Sequence, residues 1–388
     1  MEFFDAMGYT LFKKNFLERL ISMIKVTLTN DILKKISMID ENRFSLTTIE
    51  LPPVIKNRLR KNSKKKSSYA SNKIEGNPLT EQQAEEVIER DAHKHFLKPE
   101  QNIRNYFWAL DLLEEKLKRK EIFSIEMILE IQAMVEKGAS KEKVGLRGPM
   151  PPGILFAVYD SASGTQDYIP PEYSDIPGLL DELVWYVNTT DDHPLIIAAV
   201  VHYQLVTIHP FEDGNGRTAR LMSGYILDFY GYGFNGIGSL EEYFAYDPDE
   251  YYDALQMGLP ALYYSGRENP PHPEIWVNYF LSMVELYSKK VYELSKGAQA
   301  DDLEGSLSYL NKKEKELLAF LLKKRLLEFT PIDVSRMLGV TNKTIINRCV
   351  KLTNNGFLVP NIVSQRIRSY SLSEFAKRNE KKIISKIS

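Results

Sequence analysis

Twelve residues, His209-Pro210-Phe211-Glu212-Asp213-Gly214-Asn215-Gly216-Arg217-Thr218-Ala219-Arg220, constrain the fold of this chain more than any other stretch. Gly214 and Gly216 flank Asn215, a pattern that lets the backbone turn tightly enough for successive N–H groups to converge on an anion. From Arg217 to about Tyr230 the residues read as a helix, with Arg217 and Arg220 three apart on one face. The loop therefore sits at a helix N-terminus. Unpaired N–H groups and the positive end of the macrodipole favour phosphate there, and two guanidinium forks favour a polyphosphate over a single carboxylate. Asp213 suits a Mg²⁺ bridging two phosphates. His209 supplies a base of near-neutral pKa. Phe211 is expected to turn inward and Glu212 to face water.

Every specified position of the signature His-x-Phe-x-(Asp/Glu)-Gly-Asn-Gly-Arg-x-x-Arg is present, and on these residues the chain resembles the Fic family. Two flanks agree. Pro194 to His202 is similar to the helix that leads into the family motif, and Ile169-Pro170-Pro171 to the end of its flap. The resemblance runs over roughly residues 50 to 290 and implies nucleotidyl transfer, usually of AMP from ATP to a hydroxyl of a target protein. It implies that His209 deprotonates the incoming Ser, Thr or Tyr hydroxyl and that Asp213 holds Mg²⁺ between the α- and β-phosphates. The Gly214 and Gly216 amides, with Asn215, cradle the anion, and Arg217 and Arg220 neutralise the outer phosphates. Thr218 and Ala219 complete the run assigned to the nucleotide. Positioning and electrostatics carry such a transfer.

A second motif, Ser71-Asn72-Lys73-Ile74-Glu75-Gly76-Asn77, resembles the family's inhibitory helix, written (Ser/Thr)-x-x-x-Glu-(Gly/Asn). Ser71 and Glu75 are i and i+4, on one face of a short helix at about 67–76, and Gly76 is placed to end it. The resemblance implies that Glu75 pairs with Arg220. A carboxylate there competes with the γ-phosphate, so the resting enzyme is expected to be slow.

The stretch from Pro152 to Asp160, a turn at 161–164, and Thr165 to Ile169 read as a β-hairpin flap closed by Pro170-Pro171. Its edge can take up a target's backbone as an added strand. Downstream, Tyr251 and Tyr252 lie in a helical run similar to the family segment that lines the base pocket, with Tyr252 the expected partner of the adenine and simple core packing the alternative.

Length and composition bound the rest. A chain of 388 residues, 43% hydrophobic and 26% charged, has the makings of two to three ordinary globular domains. The single cysteine, Cys349, excludes an internal disulfide and a cysteine-based metal cluster, and the six histidines show no paired ligand spacing. With Glu2 and Asp5 near the start and no run of spanning length, neither a signal peptide nor a membrane span is expected, and the cytoplasm is the expected location. Lys56 to Lys66, rich in basic residues, reads as a solvated approach to the inhibitory helix.

The net charge of −2 hides an asymmetry. From Leu310 onward 17 lysines and arginines face 6 acids, whereas the remainder holds 33 against 46. That tail shows an amphipathic stretch at 312–322, a short helix from Pro331 ending at Gly339, a second helix N-capped by Thr341, and two alternating segments, 356–359 and 364–372. The pattern resembles a winged helix. In a DNA complex Asn342, Lys343, Asn347, Arg348 and Lys351 would face the major groove, with Arg366 and Arg368 on phosphates. Winged helices serve equally as protein-contact modules.

The expected fold is mainly α: a Fic-type helical bundle with a β-hairpin flap, then a C-terminal winged helix-turn-helix domain. The expected divisions are an N-terminal helical region at 1–120, a core at 121–296, a linker at 297–309 and the winged helix at 310–388. Besides an autoinhibited protein adenylyltransferase, two readings stay open. One is a DNA-binding regulator using the site as a nucleotide sensor, against which an intact base argues. The other is an enzyme that removes AMP or transfers another phosphate-linked group. Homodimerisation is common among the family and would hold the inhibitory helix in place.

Overall fold

The computed structural model describes residues 26–49, 51, 53–90, 96–139, 144–154, 156–159, 166–259, 270, 272–300, 302–363 and 366–387. Helices α1 (Asn30–Thr47), α2 (Pro53–Ile74), α3 (Glu81–Glu89), α4 (Lys98–Lys118) and α5 (Ile125–Val135) precede a short antiparallel pair, β1 (Val158–Tyr159) and β2 (Gln166–Tyr168). Helices α6 (Ile176–Thr189), α7 (Pro194–Ile208) and α8 (Asn215–Phe229) follow. After them come α9 (Glu241–Phe244), α10 (Pro248–Gln256) and the long α11 (Pro273–Ala300).

Composition makes α7 the centre of this part. Its sequence is apolar all round, so no face can be left to water, and nearly every residue from Leu195 to Ile208 is buried. Pro194 opens it at the first helical position, with the His193 side chain accepting from the Leu195 N–H at 3.3 Å. Trp276 of α11 donates to the Ala199 carbonyl at 2.8 Å and stacks on the His202 ring with centroids 4.8 Å apart. Helix α8 packs along α7, and α4 and α5 pack on α8. The loop between α7 and α8 is thus held between two helices that pack along each other.

The chain divides into two units, Met1–Arg43 with Asn62–Lys289, and Phe44–Lys61 with Lys290–Ser388. The second contains α12 (Asp302–Ser308), α13 (Lys312–Lys323), β3 (Glu328–Phe329), α14 (Pro331–Leu338), α15 (Asn342–Asn354), β4 (Leu358–Val363), β5 (Arg366–Leu372), α16 (Glu374–Arg378) and α17 (Glu380–Ile387). Its strands pair antiparallel in the order β3-β5-β4. Asn311 and Glu314 form a reciprocal capping box on α13, Thr341 caps α15, and Gly339 ends α14 at φ 62. Leu318, Leu321, Val334, Ile345, Cys349, Leu352 and Phe357 fill the core beneath.

Two sequence expectations are corrected. The stretch expected as a linker at 297–309 is helical through Ala300 and again over Asp302–Ser308. Gly297 and Gly305 each cost a helix only about 1 kcal/mol, which burial of Leu307 on the C-terminal core can offset. Leu307 and Leu310 are buried in the C-terminal core, so this stretch is part of a folded unit. Likewise the basic run at 56–66 is no loose approach. It lies inside α2, where Lys64 pairs with Asp111 at 2.5 Å and with Glu114, Lys65 with Glu89 at 2.7 Å, and Lys66 with Glu242 at 2.8 Å. The flap's expected turn at 161–164 lies outside the described residues.

Candidate active site

The loop's shape follows from its side chains. Helix α7 ends at His209, which takes the left-handed conformation at φ 48 and ψ 58, a C-terminal position usually given to glycine. Phe211 is 1% exposed and anchors the loop inward as expected, while Glu212 faces water. Asn215 turns its amide on the loop itself: its Oδ1 accepts from the Phe211 N–H at 3.0 Å and its Nδ2 donates to the Phe211 carbonyl at 2.9 Å. Gly214, at φ 83, precedes the first residue of α8. The N–H groups of Asn215, Gly216 and Arg217 then fall in the helix's first turn, where no helical carbonyl is available to them.

Glu75 stands at this mouth. Its Oε1 is 2.5 Å from Arg220 Nη2, and a Cβ added at Gly216 would run into the same carboxylate. Arg220 is 3% exposed and bonded through all three nitrogens: Nε donates to Ser71 Oγ at 2.8 Å, Nη2 to the Ser71 carbonyl at 3.0 Å, and Nη1 to the Tyr251 hydroxyl at 3.3 Å. Burial works against this guanidinium's charge, but the Glu75 carboxylate, joined by Tyr251, Tyr106 and Tyr252, outweighs it and raises the pKa. Glu75 lies one residue beyond α2, and Gly76 at φ 75 turns the chain away. The structure therefore brings Ser71, Glu75 and Arg220 together.

His209 is less basic than its sequence suggests. Burial pulls its pKa down from 6.5 to about 4; the Arg147 cation adds to the drop, and the Val206 carbonyl, Glu75 and Asp213 oppose it. Its Nδ1 lies 3.3 Å from the Val206 carbonyl. A carbonyl accepts only, so Nδ1 carries the hydrogen and Nε2 keeps the free lone pair a base needs.

Arg217 sits elsewhere than beside Arg220. Its Nη2 is 2.9 Å from Glu136 Oε1 and 2.9 Å from Asp213 Oδ1, with the Arg217 and Glu136 side chains almost wholly buried. Asp213 Oδ1 also accepts from the Gly214 N–H at 2.7 Å, and its Oδ2 lies 3.8 Å from Lys98 Nζ. Thr218 and Ala219 are buried within α8, at 1% and 0% exposure. Tyr252 is exposed on α10, its hydroxyl 3.4 Å from the Ile74 carbonyl, whereas its neighbour Tyr251 is buried, 3.1 Å from His202 Nε2.

Several residues at the site carry no local sequence signal. Glu136 closes α5 and lies against Gly214, where an added Cβ would come 2.7 Å from its Oε1. Gln132 donates to the Asp213 carbonyl at 3.2 Å and accepts from the Gly145 N–H at 3.2 Å. Arg147 Nε donates to the His209 carbonyl at 2.8 Å. Only long-range packing reveals them.

Residues 122–227 match the model of the Fic/DOC family. The matched stretch runs from just before α5 almost to the end of α8 and holds the whole His209–Arg220 run; Glu75 lies upstream of it. The chain is 29% identical over 211 residues to a protein adenylyltransferase Fic of Drosophila mojavensis, a match covering 51% of this chain and 38% of that protein. It is 31% identical over 200 residues to a protein adenylyltransferase Fic of Nematostella vectensis, covering 49% and 43%. The matches thus span 38% and 43% of the relatives' own length. A crystal structure of a Fic family protein from Desulfovibrio desulfuricans shares the fold, with a TM-score of 0.56 at 19% identity over 91% of this chain and 98% of that one.

Among the described residues no cluster of three or more His, Cys, Asp or Glu could hold a metal, and no helix is long and apolar enough to cross a membrane.

Proposed function

We propose that the chain is a protein adenylyltransferase that moves AMP from ATP to a Ser, Thr or Tyr hydroxyl of a target protein, itself included, and that Glu75 holds it idle. The observation that carries the reading is the Glu75 carboxylate on Arg220, at the mouth of a helix N-terminus and in the same loop system as a neutral His209. In the transfer His209 Nε2 accepts the proton of the acceptor hydroxyl. The hydroxyl oxygen bonds to the α-phosphorus as the bond to the bridging oxygen breaks, and pyrophosphate leaves. First-turn N–H groups of α8 and Arg220 meet the growing negative charge. While Glu75 occupies Arg220, the outer phosphates lose that partner and the nucleotide is misplaced for attack.

Asp213 presents one carboxylate in a polar mouth, which fits Mg²⁺, an ion that takes one or two protein carboxylates and the rest of its shell from phosphate and water. When bound, Mg²⁺ supplies charge neutralisation between adjacent phosphates. Arg217, fixed by Glu136, steadies Asp213. Incubation with α-labelled ATP and Mg²⁺ tests the reading. Label on protein rises with Glu75→Gly and vanishes with His209→Ala. A Glu75→Gly protein that binds ATP yet stays as silent as His209→Ala overturns it.

For the C-terminal unit we propose contact with duplex DNA. The element order α13-β3-α14-α15-β4-β5 supports a winged helix. Helix α15 turns Ile345, Cys349 and Leu352 to the core and leaves Asn342, Lys343, Asn347 and Lys351 exposed. Arg368 is exposed on β5.

A further inference from the structure

Arg147 lies outside the His209–Arg220 run and is 5% exposed, and its polar groups meet the two segments that the proposed reaction must hold in register. Its backbone N–H donates to the Pro210 carbonyl at 2.9 Å and its Nε to the His209 carbonyl at 2.8 Å. Its Nη2 donates to the carbonyl of Pro171, at the foot of the hairpin. The guanidinium lies 4.7 Å from the centroid of Phe156, whose ring is in turn 6.0 Å from the His209 ring. Next to it Leu146 bridges Phe211 in antiparallel fashion.

The carbonyls served by Arg147 are those that need a partner. Helix α7 ends at His209, so the carbonyls of His209 and Pro210 lie past the reach of its ladder. His209 also holds a left-handed backbone that persists only when its surroundings fix it. We propose that Arg147 is a positioning residue that fastens the foot of the flap to the backbone of His209, so that an acceptor hydroxyl carried on the flap meets the base in a fixed geometry. The proposal rests on the transfer reading above. Tyr168 on β2 supports it with a second tie of the same kind, its hydroxyl donating to the Thr207 carbonyl in the last turn of α7. Lysine cannot replace Arg147, because a single ammonium lacks the planar fork that reaches two carbonyls at once.

The test uses the full chain with Glu75→Gly as parent, and Arg147→Met and Arg147→Lys added to it. With α-labelled ATP and Mg²⁺, the Met variant keeps the parent's affinity for ATP within about twofold and loses about 100-fold in initial labelling rate, the scale of an ångström-level misplacement. The Lys variant recovers only a small part of that loss. Hydrogen exchange, which needs no turnover, rises about tenfold in peptides covering 166–171 and 205–211 and stays unchanged over 215–229. Labelling at the parent's rate in either variant overturns the proposal. So does a loss matched by weaker ATP binding and faster exchange through α8, since that marks general loosening. If the parent binds ATP and labels no protein, the transfer reading fails, and the exchange comparison still decides whether Arg147 ties flap to loop.

Discussion

At His209 burial and the proposed role as base bear on the same imidazole. Its folded pKa, about 4, lies below the ordinary 6.5, so the free base is present from mildly acidic pH upward and is lost only as pH falls through about 4. For Glu75→Gly protein, the acid limb of kcat/KM for labelling is therefore expected near pH 4, measured from initial rates across pH 4 to 8. Removing Glu75 also removes one of the groups that raise the value, so the variant's limb does not move up. A limb at 6.5 would contradict the buried setting. The same shift has a stability counterpart. Between about pH 4 and 6.5 the unfolded chain binds more protons at this residue than the folded one, so its contribution to stability falls as pH drops through that window. The grouping of the loop's side chains was legible because the imidazole, the acid, the glycines and the guanidiniums lie within twelve residues of one another. The partners of Arg217 were not. Its buried partner Glu136 lies on another helix, and the bonds of Gln132 and Arg147 to the loop span 81 and 62 residues.

At the scale of an element, α2 is a helix held by polar ties. Glu241, 9% exposed, accepts from Ser67 Oγ at 2.7 Å, from the Tyr106 hydroxyl at 2.9 Å and from Ser239 Oγ at 3.0 Å. Burial, and then the Glu241 charge, push the Tyr106 phenol well above its usual range, so it stays a hydrogen-bond donor. Ser63 Oγ accepts from the Gly238 N–H, and the three lysine pairs add to the seat. Glu241→Ala leaves buried hydroxyls without their acceptor, at about 1–3 kcal/mol each. The expected outcome is a helix that releases Arg220 more often, with labelling by the otherwise unaltered chain rising several-fold toward the level of Glu75→Gly. Initial labelling rates check this, read beside the melting midpoint. An unchanged rate in a folded variant would show that α2 is seated by other contacts. The sequence predicted where α2 ends, since Gly76 takes a positive φ. It did not predict where α2 begins. A run of lysines reads as a solvated face until the acids of α3, α4 and α9 are seen opposite it.

On the scale of the whole molecule, a near-neutral total conceals two differently charged surfaces. The 17 basic residues from Leu310 onward, against 6 acids, belong to a unit with its own core. Full-length chain is accordingly expected to retard duplex DNA at low salt despite a net charge of −2, and to release it steeply as salt rises. Lys343→Glu with Lys351→Glu should abolish the retardation without changing nucleotide labelling. Free migration of duplex at low salt would sink the DNA reading. The helices of this unit were legible from their caps: Thr341 and Gly339 mark the ends that the sequence assigned to them. The two-residue strand β3 was missed, because Glu328 and Phe329 offer no alternation and become a strand only by pairing with Ser371 and Tyr370. The same core encloses the chain's one cysteine. Cys349 is fully buried and its thiol is pushed up to about 12 by burial, so it is a poor nucleophile toward reagents in solution. A cysteine placed at the exposed Lys73 would then be the single reactive thiol in the molecule. A dye attached there would let the seating and release of the helix that carries Ser71 be watched directly, molecule by molecule, with no other position to silence.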